Sequence, residues 1–363
     1  MTARVDRQDA LASVLDRANV TRDEVGVRFP LFADPCDGRW TTTGRGSWTG
    51  GFWAGLLWLR ARWTGAAEDR AAASSCTARL APWADADTAT RGLILWYGTA
   101  LSADDGAAAA LRRRAARACL ESWDPDLGLV PWGAALGGPR LLARVDGVPG
   151  MVQLLAAAGG EGVAAAGSHL HRHLDLGLGG GAGGGLLRPA WGFDQGGAGW
   201  RPRADPAPGW SRGRAWLLLA VADALNRPEA ADWRPERLRA VVERLLAEGD
   251  VLAGPFVPPA EESRPEGPLD TSAAAITAVA LLKLSHLGGP GASELSGRAG
   301  ALLDHLTGTQ MSEGTGGRPA GMLLNGCYDA SRGTAVRHEL IWGDFFLALG
   351  LAAVGGLVDV SEV

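Results

Sequence analysis

The sequence predicts an all-α fold, an (α/α)6 barrel in which six helical hairpins close into a double ring, as one domain over residues 1–363. Three observations predict it. The chain is 47% hydrophobic, mostly Ala and Leu rather than Val, Ile, Tyr or Phe, which favours helices over strands. Twelve segments carry apolar residues at helical spacing. Sustained apolar/polar alternation is missing, so a sheet has no signal, and no 34- to 45-residue self-similarity marks an open solenoid.

The first helix, 5–19, places Val5, Ala10, Leu11, Val14 and Leu15 on one stripe. Pro30, Pro35 and the Gly/Thr-rich run Thr41 to Gly46 then form a loop. Further helices are expected at 51–63, 67–82, 89–101, 105–122, 147–159, 161–174, 212–226, 235–248, 271–287, 293–307 and 338–353. Gly- and Pro-rich connections join them. The longest, at about 177–209, contains Gly179 to Gly185, a lid or a disordered stretch that lacks the strand and helix context of a phosphate-binding loop.

Composition excludes several functions. A net charge of −5 with no basic stripe argues against nucleic acid. No run of about twenty apolar residues suits a membrane span, and the charged amphipathic stretch Met1 to Val20 lacks the apolar core of a secretory signal. Cys36, Cys76, Cys119 and Cys327 are widely spaced, which suggests free thiols in a reducing cytoplasm. His169 and His173 share a helical face without a third ligand, so we read them as a solvated helix end and expect neither metal nor cofactor.

The chemistry concentrates around Pro208-Gly209-Trp210-Ser211-Arg212-Gly213-Arg214-Ala215-Trp216. Ser211 is placed to cap the helix that begins there. Arg212 and Trp216 stand four apart on one face, a guanidinium beside an indole, which makes a floor for an anionic ring. Fifteen tryptophans against two tyrosines point to an aromatic pocket, with Trp53, Trp58 and Trp63 assigned to the core. Asp146, just before Val148-Pro149, looks from the residues alone like a helix cap. Asp270 and Asp344 sit at expected helix starts and are read as caps too.

Five other stretches accompany that one: Ser47-Trp48-Thr49-Gly50-Gly51-Phe52-Trp53, Gly128-Leu129-Val130-Pro131-Trp132, Arg144-Val145-Asp146-Gly147-Val148-Pro149-Gly150, Asp270-Thr271-Ser272-Ala273-Ala274-Ala275-Ile276 and Leu340-Ile341-Trp342-Gly343-Asp344-Phe345-Phe346. In this order, across nearly the whole chain, they resemble the signature segments of glycoside hydrolase family 88, the unsaturated glucuronyl hydrolases. The resemblance implies an (α/α)6 barrel and an enzyme that hydrates the C4=C5 vinyl ether of an unsaturated uronic acid. It puts the acid/base on Asp146, sugar-stacking walls on Trp48, Trp132, Trp210 and Trp216, and the contact to a substrate carboxylate on Arg212. The chain also departs from the family. Thr90 stands where a second catalytic aspartate is expected, the family's histidine has no counterpart near Leu187 to Asp194, and Ala204-Asp205-Pro206-Ala207-Pro208 replaces a Gln-Gly-Tyr segment. Arg214 replaces a glutamine, either adding a second anion contact and making the pocket more cationic, or filling the glutamine's space. Asp85, Asp87 and Asp194 are candidates for the missing carboxylate. We therefore expect a divergent member with an anionic or sugar-like small-molecule substrate. The alternatives are a biosynthetic enzyme of specialised metabolism or a non-catalytic protein that binds acidic sugars.

Overall fold

A computed structural model describes residues 6–102, 104–179, 185–197 and 199–363. Val5 of the first expected helix and residues 180–184 of the glycine run lie outside the described residues. Eleven α-helices are present among those described: α1 (Arg7–Val25), α2 (Gly50–Thr64), α3 (Ala67–Ala78), α4 (Gly106–Glu121), α5 (Met151–Ala157), α6 (Glu161–Leu178), α7 (Ser211–Leu225), α8 (Pro235–Glu248), α9 (Thr271–His286), α10 (Ala292–His305) and α11 (Ile341–Val354). The segment expected as a helix at 89–101 forms a wider, π-type turn over Gly92–Trp96 instead.

Helix contacts close into a double ring. On the inside, α2 packs on the π-type turn, that turn on α5, α5 on α7, α7 on α9, α9 on α11, and α11 back on α2. Outside, α1, α3, α4, α6, α8 and α10 each back onto this circle. The residues assign each helix to its layer. Every residue of α7 is buried, and an all-round apolar helix belongs in an interior. By contrast α8 buries only Leu238, Val241, Val242 and Leu245, a single stripe at i, i+3, i+4 and i+7. Each such side chain stabilises by roughly 1.5–3 kcal/mol on leaving water. The axis of the ring is filled by aromatic rings: Phe52 lies 5.2 Å from Tyr97 and 6.0 Å from Trp216, and Phe345 lies 5.1 Å from Phe346.

The expectation of a purely helical chain fails. Nine short strands occur among the described residues: β1 (Phe29–Ala33), β2 (Trp40–Thr43), β3 (Leu142–Arg144), β4 (Ala190–Asp194), β5 (Gly199–Pro202), β6 (Met311–Glu313), β7 (Ala320–Leu323), β8 (Gly326–Asp329) and β9 (Thr334–Leu340). They pair antiparallel in the orders β2-β1-β9-β8, β3-β4-β5 and β6-β7. Most are three to five residues long, too short to show alternation. The connection expected at 177–209 is accordingly not all loop, since it carries the β4-β5 hairpin. Trp53 and Trp58 are core, at 1% and 3% exposure, whereas Trp63 is 39% exposed at the end of α2. No described helix is long and apolar enough to cross a membrane.

Candidate functional site

Ring closure brings the leading ends of the inner helices together around a cavity of about 350 Å³. Trp48 precedes α2, Asp146 precedes α5, Trp210 is the N-cap of α7, and Arg212 and Trp216 lie on its first turns. All five line the cavity, together with Trp132. Trp48 is fixed by its indole N–H, which donates to Tyr328 Oη at 3.2 Å, and by Trp342 at 4.7 Å between ring centroids.

Asp146 does not cap a helix. The N-cap of α5 is Gly150, with no side-chain cap. Instead Arg144 donates to both Asp146 oxygens, Nε to Oδ1 and Nη2 to Oδ2, each at 3.0 Å. The Arg144 guanidinium lies over Trp132, 4.5 Å from its centroid. Burial works against that cation, but Asp146, Asp205 and Tyr328 outweigh it and raise Arg144 above the usual arginine range.

Two backbone features hold the segment carrying Asp146. A Cβ on Gly92 would stand 2.3 Å from Met151 N and 2.5 Å from Pro149 O, so only glycine allows the π-type turn to touch this segment. Beneath lie His169 and His173, which are 0% and 3% exposed, contrary to the solvated helix end expected for them. Val130 N–H donates to His169 Nδ1 at 3.1 Å, which leaves Nε2 to donate to Gly147 O at 3.2 Å. His173 Nδ1 donates to His169 O at 2.8 Å. Burial pushes both imidazoles down, His173 to about 4 and His169 well below the ordinary value. Neutral His169 therefore ties the segment before Trp132 to the one carrying Asp146.

Other expected residues fall differently. Arg212 is 2% exposed and already engaged: Nη1 donates to Asp270 and to Cys327 O, and Nη2 to Tyr328 O at 2.8 Å. Arg214 is absent from the cavity lining. Two residues after Arg212 it points away from the cavity, paired through Nε and Nη2 with both Glu262 oxygens at 2.7 Å. The more cationic pocket does not arise either, because the lining holds Asp146, Asp205, Glu261 and Asp329 against Arg144, Arg212 and Arg332. Asp205, Glu261 and Asp329 were not singled out as site residues in the sequence. Asp85, Asp87 and Asp194 lie outside the lining, paired with or facing Arg114, Arg140 and Arg201. Thr90 is buried outside it as well, its hydroxyl 2.9 Å from Thr88 Oγ1.

Asp270 caps α9 as expected, accepting from Ser272 N at 3.1 Å. Asp344 does not cap α11, whose N-cap is Leu340. It is buried beside Glu339 and Arg17, and burial raises it well above the usual carboxyl range, reinforced by the charge of Glu339. Ser211 is not a cap, since its hydroxyl donates to Ala260 O. Cys327 lines the cavity, and burial pushes its thiol up to about 12, which favours the neutral thiol near neutral pH.

No family model and no curated protein matches the chain. Solved structures do. An unsaturated glucuronyl hydrolase from Bacillus sp. GL1, responsible for glycosaminoglycan degradation, superposes with a TM-score of 0.82 at 21% identity, over 96% of this chain and 97% of that one. One specific for heparin gives 0.78 at 17% identity over 98% of each chain. Another, from Streptococcus agalactiae, gives 0.78 at 16% identity over 97% and 92%. The chain thus has the helical double-ring fold of the unsaturated glucuronyl hydrolases along almost its whole length. At such identities the likeness is one of fold.

Proposed function

We propose that the chain is an enzyme of the unsaturated glucuronyl hydrolase type, in which Asp146 performs acid/base chemistry on an enol ether of a sugar ring. The observation that carries this reading is the Asp146 carboxylate, 15% exposed and opening into a cavity walled by Trp48, Trp132, Trp210 and Trp216. Indole faces suit pyranose rings, and a carboxyl group in a semi-enclosed cavity suits proton transfer. A related hydrolase with this fold has been solved with dGlcA-GalNAc6S.

In the proposed reaction Asp146 gives a proton to C4, and the water that adds at C5 returns its proton to the Asp146 carboxylate, which restores the acid. The hemiketal so formed opens to a ketone and releases the partner sugar. Atoms balance with one water consumed per glycosidic bond broken. The test is incubation with an unsaturated uronyl disaccharide. Ultraviolet absorbance of the double bond disappears with the wild type and persists with Asp146→Asn. Turnover by Asp146→Asn at the wild-type rate refutes the role of Asp146.

A second reading, an acidic-sugar-binding protein without chemistry, is favoured by Thr90, which cannot ionise where the family resemblance implies a second carboxylate. It predicts saturable binding of the same disaccharide with unchanged absorbance.

A further inference from the structure

Resting on the reading of the cavity as a site for an acidic sugar ring, we infer that the ligand's carboxylate is received by Arg144 and not by Arg212. Three arginines line the cavity, and their hydrogen bonds distinguish them. Both terminal nitrogens of Arg212 are engaged by Asp270 and by main-chain carbonyls, and its side chain is only 3% exposed. Arg332, 66% exposed, spends Nη1 on Asp329 and Nη2 on Asp205, each at 2.6 Å. Arg144 is 23% exposed and gives one edge, Nε and Nη2, to Asp146. Its Nη1 has no protein acceptor among the described residues.

A guanidinium is a fork with two usable edges, each matched to a carboxylate. With Asp146 on the side edge, the end edge of Nη1 and Nη2 remains for a ligand. Trp132 beneath holds the guanidinium plane, and among the described residues Asp146 is the one carboxylate paired with Arg144. A ring carboxylate bound there lies against the same cation as Asp146, which sets the carboxylate-bearing carbon beside the proposed acid. Glu261 disfavours anions elsewhere in the lining, and Asp205 and Asp329 already occupy Arg332.

The experiment measures binding of D-glucuronate and of methyl D-glucoside by calorimetry, with the wild type, Arg144→Gln and Arg144→Lys. Glucuronate is expected to bind the wild type at least about tenfold more tightly than the glucoside. Arg144→Gln should reduce that preference to within about twofold, and Arg144→Lys, a point charge without a fork, should restore part of it. Circular dichroism confirms that each variant is folded. A preference for glucuronate that survives in Arg144→Gln overturns this inference and leaves the sugar-site reading standing. If neither sugar binds the wild type, the sugar-site reading falls, and this inference with it.

Discussion

Removing the Asp270 carboxylate should loosen the whole mouth of the ring, because four donors converge on a group with no solvent access. Its side chain is 0% exposed and accepts from Arg212, from Ser272 N and Oγ, and from Cys327 N. In Asp270→Ala the Arg212 cation keeps only Cys327 O, Tyr328 O and a long contact to Ser272. An uncompensated buried charge costs about 3–5 kcal/mol, and loss of the α9 cap adds about 1 kcal/mol. With unfolding entropy of about 2.1 cal/mol/K per residue, the 363-residue chain has roughly 0.8 kcal/mol/K. The expected fall in melting temperature is therefore about 5–8 °C by scanning calorimetry. Asp270→Asn retains an acceptor for the cap and isolates the charge contribution. The double variant Asp270→Ala/Arg212→Met should lose about 2 kcal/mol less than the two single losses combined. A shift below about 2 °C, or strict additivity, refutes the account of this ion pair.

Three further outcomes are expected. Gly92→Ala should displace the segment carrying Asp146, lowering stability by about 1–3 kcal/mol and reducing ligand binding, whereas Gly44→Ala, with nothing within 4 Å of its new Cβ, should do neither; equal melting curves for the two variants contradict this. Burial pushes His173 from 6.5 down to about 4, so the unfolded chain takes up a proton in this window that the folded chain refuses. The contribution of His173 to stability is then complete above about pH 6.5 and drains away towards pH 4, by on the order of 3 kcal/mol. Urea unfolding should show the wild-type curve falling relative to His173→Gln as pH drops from 7.5 to 4.5, and parallel curves would disprove it. Lys283 and Asp223 form a pair at 2.8 Å, each side chain 1% exposed. Lys283→Met should cost about 3–5 kcal/mol, with much of it recovered in Lys283→Met/Asp223→Leu; no recovery in the double variant argues against the pair.

The ring was legible because its two layers have different patterns: stripes in α8, unbroken apolar runs in α7 and α11. The strands were not, since three to five residues pinned by pairing partners far away in the chain show no period of their own. At the site, the spacing of Arg212 and Trp216 identified two lining residues, and the same helical period, applied to Arg214, would have turned that side chain away. His169 and His173 carried a usable signal as well, for they fall in register with Ala165, Ala166, Leu170 and Leu174, the buried stripe of α6. Arg144 went unassigned because its fork onto Asp146 forms where β3 gives way to the tight turn Val145–Gly147, a bend with no local mark in the sequence. Asp205 and Glu261 reach the cavity from separate loops and Asp329 from the end of β8, by tertiary paths for which the sequence has no local mark.

The cavity draws its side chains from the approaches and first turns of inner helices and, at Asp205, Glu261, Tyr328 and Asp329, from segments outside them. Those outlying positions can change apart from the architecture, whereas Arg212, tied to buried Asp270, cannot. A lineage can exchange a carboxylate among them without disturbing the circle that keeps the chain folded. The same division makes Asp205, Glu261, Tyr328 and Asp329 natural positions for a combinatorial library. Changes there would redraw what the mouth accepts, and the aromatic axis formed by Phe52, Tyr97, Phe345 and Phe346 would keep the scaffold intact through each round of selection.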